Sequence, residues 1–471
     1  MSTEELIGRP WAEIVALREQ VTGLMQQNAD LRALVARLQE ENAQLRQALA
    51  DVEERIAELE QGQKKAPSFV KANKEKPEGP KGSRRPRSKG QNRGRRRAQV
   101  VTRQEEHHVE RCTECSCKLR EEREAWRREV IDLPPPQAVE VTEHVVYKGY
   151  CPRCGAWRYA RPCEAGEIVG QRRFGTRLMA LVGYLSETLK LPLAAMREYL
   201  ATVHGVEISE GALVDLRNGM AQHLKGDAEA LAAQVRNSPI VHADETGWRE
   251  DGQNGYVWIF STPGEQGIRC YVYDHRRSQQ VVETFLGEAF QGVLSSDFYG
   301  AYNVYRGRHQ RCWVHLLRAL HDLKEEHPDD AAVQSWAHSL RALHDRGQSF
   351  NQEGNHPQNE REGLYIRLVS EVERLGLMYA RQKHPCRALA KRILRHQDEL
   401  FQFVLVAELA ADNNLAERGL RPLVVVRNIS GGTRSPRGSD TRMTLASIFA
   451  THKARGLNPY TACLARLRHN S

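Results

Sequence analysis

The chain has 471 residues, of which 40% are hydrophobic and 27% charged, enough for two or three soluble domains with cores of their own. No apolar run approaches the ~20 residues that span a bilayer, and the opening Met1-Ser2-Thr3-Glu4-Glu5 has neither the basic region nor the apolar core of a secretory signal. A cytoplasmic, non-membrane protein is expected, in which ten cysteines serve metal or thiol chemistry rather than a disulfide frame. The formal net charge of +9 arises from one stretch: residues 62–97 hold seven Lys and seven Arg against two Glu, so the rest of the chain is slightly acidic.

From Ile14 onward apolar residues recur every seven positions. Ile14, Val21, Asn28, Val35, Asn42, Leu49 and Ile56 form one half of a seam, and Leu17, Leu24, Leu31, Leu38, Leu45, Val52 and Leu59 form the other. A strict 3.5-residue period suits a supercoil, whereas a helix lying on its own protein keeps a 3.6-residue period. Residues 11–60 are therefore expected to form a parallel two-stranded coiled coil, with Asn28 and Asn42 weakening the seam but selecting the dimer. Residues 62–104 are rich in Lys, Arg, Gly, Pro and Ser and cannot bury enough surface to order themselves. They read as a basic disordered linker, either simply solvated or lying on phosphate backbones without sequence preference.

Two Cys-x-x-Cys pairs, Cys112 with Cys115 and Cys151 with Cys154, are separated by 35 residues. Each pair can set two thiolates on one side of a tight turn, and two pairs complete a tetrahedral structural Zn²⁺ site. Ser116 stands where a glycine would help the first turn, and Cys117 and Cys163 are spare thiols. Residues 128–132 and 139–147 alternate like two strands around Pro134-Pro135-Pro136, so residues 105–165 read as a zinc ribbon with a long hairpin. Residues 171–236 switch to a helical period. One helix ends near His204-Gly205, and Ser209 caps the next, a helix-turn-helix pattern shared by DNA readers and by helical pairs that never meet DNA.

The apolar run Pro239-Ile240-Val241-His242-Ala243 reads as a buried strand ending on Asp244. Residues 292–296 repeat the pattern and end on Asp297, and Asp412-Asn413-Asn414-Leu415-Ala416-Glu417-Arg418 opens a helix that presents Glu417. Singly, each Asp is a turn cap or half of an ion pair. Together, two strand-borne aspartates and a helix-borne glutamate can hold two divalent cations, which clamp the attacking and leaving oxygens of phosphoryl transfer. Glu245 points to the opposite strand face and is not counted as a ligand; Glu408, upstream, is the rival to Glu417.

A hairpin turn at residues 251–255, a third strand at 268–273, a helix from Ser278 to about Phe290 and a returning strand follow the order of a ribonuclease-H-like fold, with the Asp244 and Asp297 strands side by side. The expected whole is a multidomain α/β protein. Its ribonuclease-H-like catalytic core occupies residues 237–314 and 411–440, interrupted by a helical insertion at 315–410 with Trp336 in its core. Residues 441–471 form a C-terminal helical tail. Arg418, Arg421, Arg427, Arg434, Arg437 and Arg442 crowd after Glu417 and suit DNA strands passing the acidic centre.

The segments from His242 to Trp248, Ser296 to Tyr302, Cys312-Trp313-Val314-His315-Leu316 and Asn413 to Arg418 resemble the transposases of the insertion-sequence 66 family. The similarity runs over nearly the whole chain, including Leu457-Asn458-Pro459-Tyr460. It implies a DDE transposase whose acidic triad is Asp244, Asp297 and Glu417, using two Mg²⁺ or Mn²⁺ ions to nick a transposon end and join the freed 3′-hydroxyl to target DNA. The partners it implies are terminal inverted repeats, target DNA, further copies of the chain as a homodimer or larger, and accessory proteins of the same element, at the nucleoid. Cys312 and His315, which recur in the family after the second Asp, are expected to be structural rather than metal-binding, or to position a phosphate. The competing reading is a catalytically inactive, dimeric, zinc-containing DNA-binding regulator; the triad alone separates the two. A peptide of residues 11–60 is expected to sediment as a dimer, and Asn28→Leu with Asn42→Leu to raise its melting temperature while admitting other oligomers; a monomeric peptide would refute the coiled coil.

Overall fold

The structure is a computed structural model, and it describes residues 20–28, 30–47, 49, 100–121, 123–124, 126–127, 130–131, 133, 139–160, 169 and 173–469. Most of the basic linker, the seam positions Ile14, Leu17, Val52, Ile56 and Leu59, and Cys163 lie outside the described residues. The chain divides into two units, residues 1–108 and 109–471. In the first, residues 20–28, 30–47 and 49 are helical (α1), and their heptad side chains face outward: Leu24 is 63% and Leu45 68% exposed.

The second unit begins with an antiparallel hairpin of β1 (Lys148–Cys151) and β2 (Ala156–Tyr159). Residues 139–147, expected as strand, are not one. Val141, Val145 and Tyr147 are exposed, so the alternation has no surface on which to bury its apolar side, and a two-stranded ribbon by itself gains too little to extend. Four helices follow: α2 (Thr176–Glu187), α3 (Leu193–His204), α4 (Glu210–His223) and α5 (Lys225–Arg236). Gly205, at φ +64°, stops α3 by turning its own amide and that of Val206 back to the carbonyls of Ala201 and Leu200. Ser209 starts α4, its Oγ accepting from the Ala212 amide at 3.2 Å.

The sheet that follows contains β3 (Ile240–Glu250), β4 (Gln253–Ser261), β5 (Arg269–Asp274), β6 (Val293–Ser296) and β7 (His309–Arg311), in the order β5-β4-β3-β6-β7. Strands β3, β4 and β5 are an antiparallel meander. Asp251 and Gly252, at φ +50° and +77°, supply the two left-handed residues of a two-residue hairpin. β6 runs parallel to β3, and β7 parallel to β6. On one face Val241, Ala243, Trp258 and Phe260 bury against α6 (Gln279–Leu286). On the other, Trp248, Val257, Ile259 and Tyr271 bury against two later helices, α12 (Asn414–Ser430) and α13 (Pro436–Ala454).

Between β7 and α12 the insertion forms a helical body: α7 (Trp313–Glu326), α8 (Ala331–Gln352), α9 (Gln358–Tyr379), α10 (Arg387–Arg395) and the short α11 (Gln402–Leu405). Trp313, Leu340, Leu368, Phe401 and Trp336 share its core, and the Trp336 indole donates to the Leu375 carbonyl at 2.9 Å. Helix α13 is buried almost all round, between β5 on one side and α2, α4 and α14 (Pro459–His469) on the other. Ser447 Oγ and Thr451 Oγ1 accept the amides of Tyr271 and Arg269 at 2.9 and 3.0 Å, which caps the edge strand. A boundary at residue 440 therefore cuts a helix, and residues 441–469 are packed rather than trailing. Among the described residues no helix is long and apolar enough to cross a membrane.

Helix α12 approaches β4 closely at Gly419, where an added Cβ would sit 2.3 Å from Ile259 Cδ1. Gly419→Ala is expected to destabilise the protein by about 1–3 kcal/mol. Ile259→Val, which deletes that methyl, should recover part of the loss in the double variant. Melting curves of the three variants check this, and an unshifted Gly419→Ala would refute the close seating.

Candidate active site

The register of β3 on β6 sets His242 opposite Ser295. Carried two residues further, it brings Asp244 level with Asp297, which directly follows β6. Asp244 pairs with Ile259 across the sheet and shares its strand face with Trp248, the face that meets α12. Glu417 stands in the first turn of that helix. The Asp244 carboxyl is pushed up to about 7, first by burial, then by the charges of Glu245, Asp297 and Glu417, with partial relief from the Glu245 amide. That amide donates to Asp244 Oδ1 at 3.0 Å. Glu408 lies in an exposed turn between α11 and α12 and is not among the charges acting on Asp244.

Each acid is positioned by a residue with no acid chemistry of its own. Asp297 Oδ1 accepts the Tyr299 amide at 2.8 Å, while its carbonyl accepts from Arg311 Nη1 at 2.8 Å. Arg311 is fully buried and also donates to Glu399 and Asn303, each at 2.5 Å. Against the cost of burial, the hydrogen bond from His396 and the charge of Arg311 hold Glu399 down at about 2, so the pair stays ionised. Asn413, also fully buried, donates from Nδ2 to the Ala243 carbonyl at 2.7 Å, and its Oδ1 lies 3.2 Å from His242 Nδ1. Burial drives His242 down to about 4, so the ring is neutral, and the network assigns its proton to Nδ1. The Asn413 carbonyl then accepts the amides of Ala416 and Glu417, which starts α12.

Glu245 is engaged on the other face, as its parity requires. Arg277 donates twice to its Oε1, at 3.0 and 2.6 Å, and Tyr302 donates to Oε2. Of the six arginines after Glu417, Arg418, Arg421, Arg434 and Arg437 are exposed, but two are held inside the protein. Arg427 donates to Thr246 Oγ1 at 3.2 Å and to the Gly247 carbonyl. Arg442 pairs with the buried Glu187 at 2.8 Å, alongside Arg217 at 3.2 Å.

Both cysteine turns are formed. The amides of Cys115 and Glu114 pull the Cys112 thiol down, and the amides of Cys154 and Arg153 together with the Cys154 side chain do the same for Cys151. Ser116 takes φ +60° where Gly155 takes +61°, so a serine adopts the left-handed turn that glycine adopts more easily. The four knuckle sulfurs are not gathered within 4.8 Å of one another; among the described residues, Cys312, His315 and Glu417 are the group that meets that distance. Cys312 immediately precedes α7 and its side chain makes no capping bond. Burial pushes its thiol up to about 11, against the amides of His315, Asn413 and Val314.

Residues 171–441, a span that holds all three carboxylates, match the family model described as Transposase IS66 family. The chain belongs to the IS66 family of transposases. Among its relatives are three proteins of Sinorhizobium fredii whose descriptions give no function. It is 24% identical to Uncharacterized protein y4qI over 362 residues, covering 71% of this chain and 66% of that one. It is 25% identical to Uncharacterized protein y4jD over 341 residues, covering 64% and 66%, and 28% identical to Uncharacterized protein y4jO over 166 residues, covering 35% and 49%. The matches thus span less than two thirds of each relative's length.

The Asp244 shift has a consequence for stability. A carboxyl that holds its proton more tightly folded than unfolded adds stability that is complete below its ordinary value of 3.8 and is lost as pH rises through about 7. In chelator, Asp244→Asn is expected to remove that loss and to be more stable than the parent at pH 8 by on the order of 1–3 kcal/mol. Melting curves at pH 5 and pH 8 check this, and the same pH dependence in both proteins would overturn the strained carboxyl.

Proposed function

We propose that this protein is a DDE transposase with a ribonuclease-H-like catalytic core, which cuts DNA at the ends of its insertion sequence and joins the freed 3′-hydroxyls to target DNA. What supports this reading is that Asp244 and Asp297 come level on two parallel strands, and that the charges of Asp297 and of Glu417, in the first turn of α12, both act on Asp244. Burial, then the charges of Glu245, Asp297 and Glu417, hold Asp244 at about 7, a concentration of negative charge suited to a cation. The strand order supports the core assignment, with an antiparallel meander continued by two parallel strands.

The donor set is all oxygen and carries excess negative charge, which fits Mg²⁺ or Mn²⁺. Asp244, Asp297 and Glu417 would hold two such ions, which when bound stabilise charge on the oxygens entering and leaving the scissile phosphate. The protein's own side chains supply position. Asn413 sets Glu417 relative to β3, and Arg311 fixes the chain at Asp297. Arg277 and Tyr302 keep Glu245 turned away, so that it does not compete for the cations. No Ser or Tyr nucleophile is required, since water and then the DNA 3′-hydroxyl attack. The exposed Arg418, Arg421, Arg434 and Arg437 neutralise phosphates passing the acids. Helices α3 and α4 serve as the helix-turn-helix that reads the terminal repeats, the knuckles carry a structural Zn²⁺, and the bare heptad seam of α1 joins two copies.

Asp244→Asn, Asp297→Asn and Glu417→Gln each keep the side-chain shape and remove one charge. Each variant is expected to bind terminal-repeat DNA as well as the parent or better, while Mg²⁺-dependent nicking and strand transfer fall by roughly two orders of magnitude or more. Electrophoretic assays of binding, nicking and joining on one labelled transposon end check this. Undiminished joining by Asp244→Asn or Asp297→Asn would remove the transposase mechanism.

A further inference from the structure

Cys312 and His315 lie one turn apart at the start of α7, and both side chains meet Glu417 at the start of α12. The Cys312 sulfur, a His315 ring nitrogen and a Glu417 carboxylate oxygen all lie within 4.8 Å of one another. His315 Nδ1 and Glu417 Oε1 are 3.9 Å apart, too far for a direct hydrogen bond. Both atoms are buried and neither has a hydrogen-bond partner, although buried polar atoms as a rule have one. Two bare donor atoms facing each other across that distance leave room for one more atom between them. Cys312 is fully buried, and its sulfur accepts the Asn413 amide at 3.2 Å. A sulfur engaged by one N–H keeps lone pairs free to ligate a cation, and the thiol gives up its proton on binding.

The chemistry of the three donors decides which cation. Sulfur and imidazole favour a borderline ion of the zinc type, whereas Mg²⁺ takes oxygen. We propose that Cys312, His315 and Glu417 form a binding site for a zinc-class cation, separate from the two cysteine knuckles. This replaces the purely structural role expected for Cys312 and His315. Because Oε1 of Glu417 faces this site, its other oxygen is left for Asp244 and Asp297. The site stands on its own geometry; only its link to catalysis rests on the DDE reading.

The test uses the full-length protein, with Co²⁺ as the probe and Mg²⁺ in excess to occupy the all-oxygen centre. Bound Co²⁺ is counted by equilibrium dialysis, and its thiolate ligands are read from the near-ultraviolet charge-transfer absorption. Cys312→Ser and His315→Gln are each expected to bind one equivalent fewer than the parent, with unchanged circular dichroism. Cys312→Ser should in addition lose the matching part of the thiolate absorption. Should Cys312→Ser fail to fold, His315→Gln, at a partly exposed position, decides by itself. Asp244→Asn should keep the extra equivalent, which separates the site from the acidic centre. Equal Co²⁺ stoichiometry in the parent, Cys312→Ser and His315→Gln would overturn the proposal, as would loss of the equivalent in Asp244→Asn. Active triad variants alongside a lost equivalent in His315→Gln would leave the site standing and remove the DDE reading; inactive triad variants with equal stoichiometry would do the reverse.

Discussion

The geometry around the three acids depends on one buried amide, that of Asn413. Its side chain reaches β3 through the Ala243 carbonyl and the His242 ring. Its own amide reaches the Cys312 sulfur at the head of α7, and its carbonyl begins α12. A single residue thus joins the strand that carries Asp244 to the helix that carries Glu417 and to the helix that carries His315. At an ordinary helix start the side chain of such a residue would cap its own helix. Here the side chain makes no capping bond and is spent on the sheet instead. The bonds run through a dry interior, where each strengthens its neighbours and a missing partner would be severe.

Like charges brought together need compensation from their surroundings. Part of it is dipolar: Glu417 sits in the first turn of α12, where the exposed amide ends of a helix favour a negative charge. Part is indirect, since the charged groups packed behind the acids are neutralised in pairs, Arg311 with Glu399 and Arg277 with Glu245. Even so, Glu245 acts on Asp244 along with Asp297 and Glu417, on top of the cost of burial. Such an arrangement trades stability of the empty site for affinity toward whatever cation enters it.

Much of this was legible in the sequence because the signals were local. The Asp251-Gly252 turn, the Gly205 stop and the Ser209 cap are each written within a few residues, whereas β3, expected to end on Asp244, runs on to Glu250. The long-range elements were not. Asn413 bonds to residues 170 and 171 positions away, and Arg311 meets Glu399 across 88; no periodicity records such a pairing. The dense arginines looked uniform, yet Arg427 and Arg442 bind the protein itself, a distinction that only their neighbours reveal. Alternation at residues 139–147 suggested a strand, but a period of two describes a possible surface and not a partner to bury it against. The boundary at residue 440 cuts α13, whose start is written in Ser435-Pro436, Ser435 Oγ accepting the Gly438 amide at 3.1 Å.

The hydroxyls of α13 have a bearing on how copies of this protein can meet. Ser447 and Thr451 occupy outward amides of β5, and at the opposite edge Gln310 of β7 bridges to Leu400 and Phe403 in the insertion. Contacts within the chain thus cover part of each margin and leave less of either ladder to an incoming strand. Continuation of the sheet from one copy into another is disfavoured by these contacts.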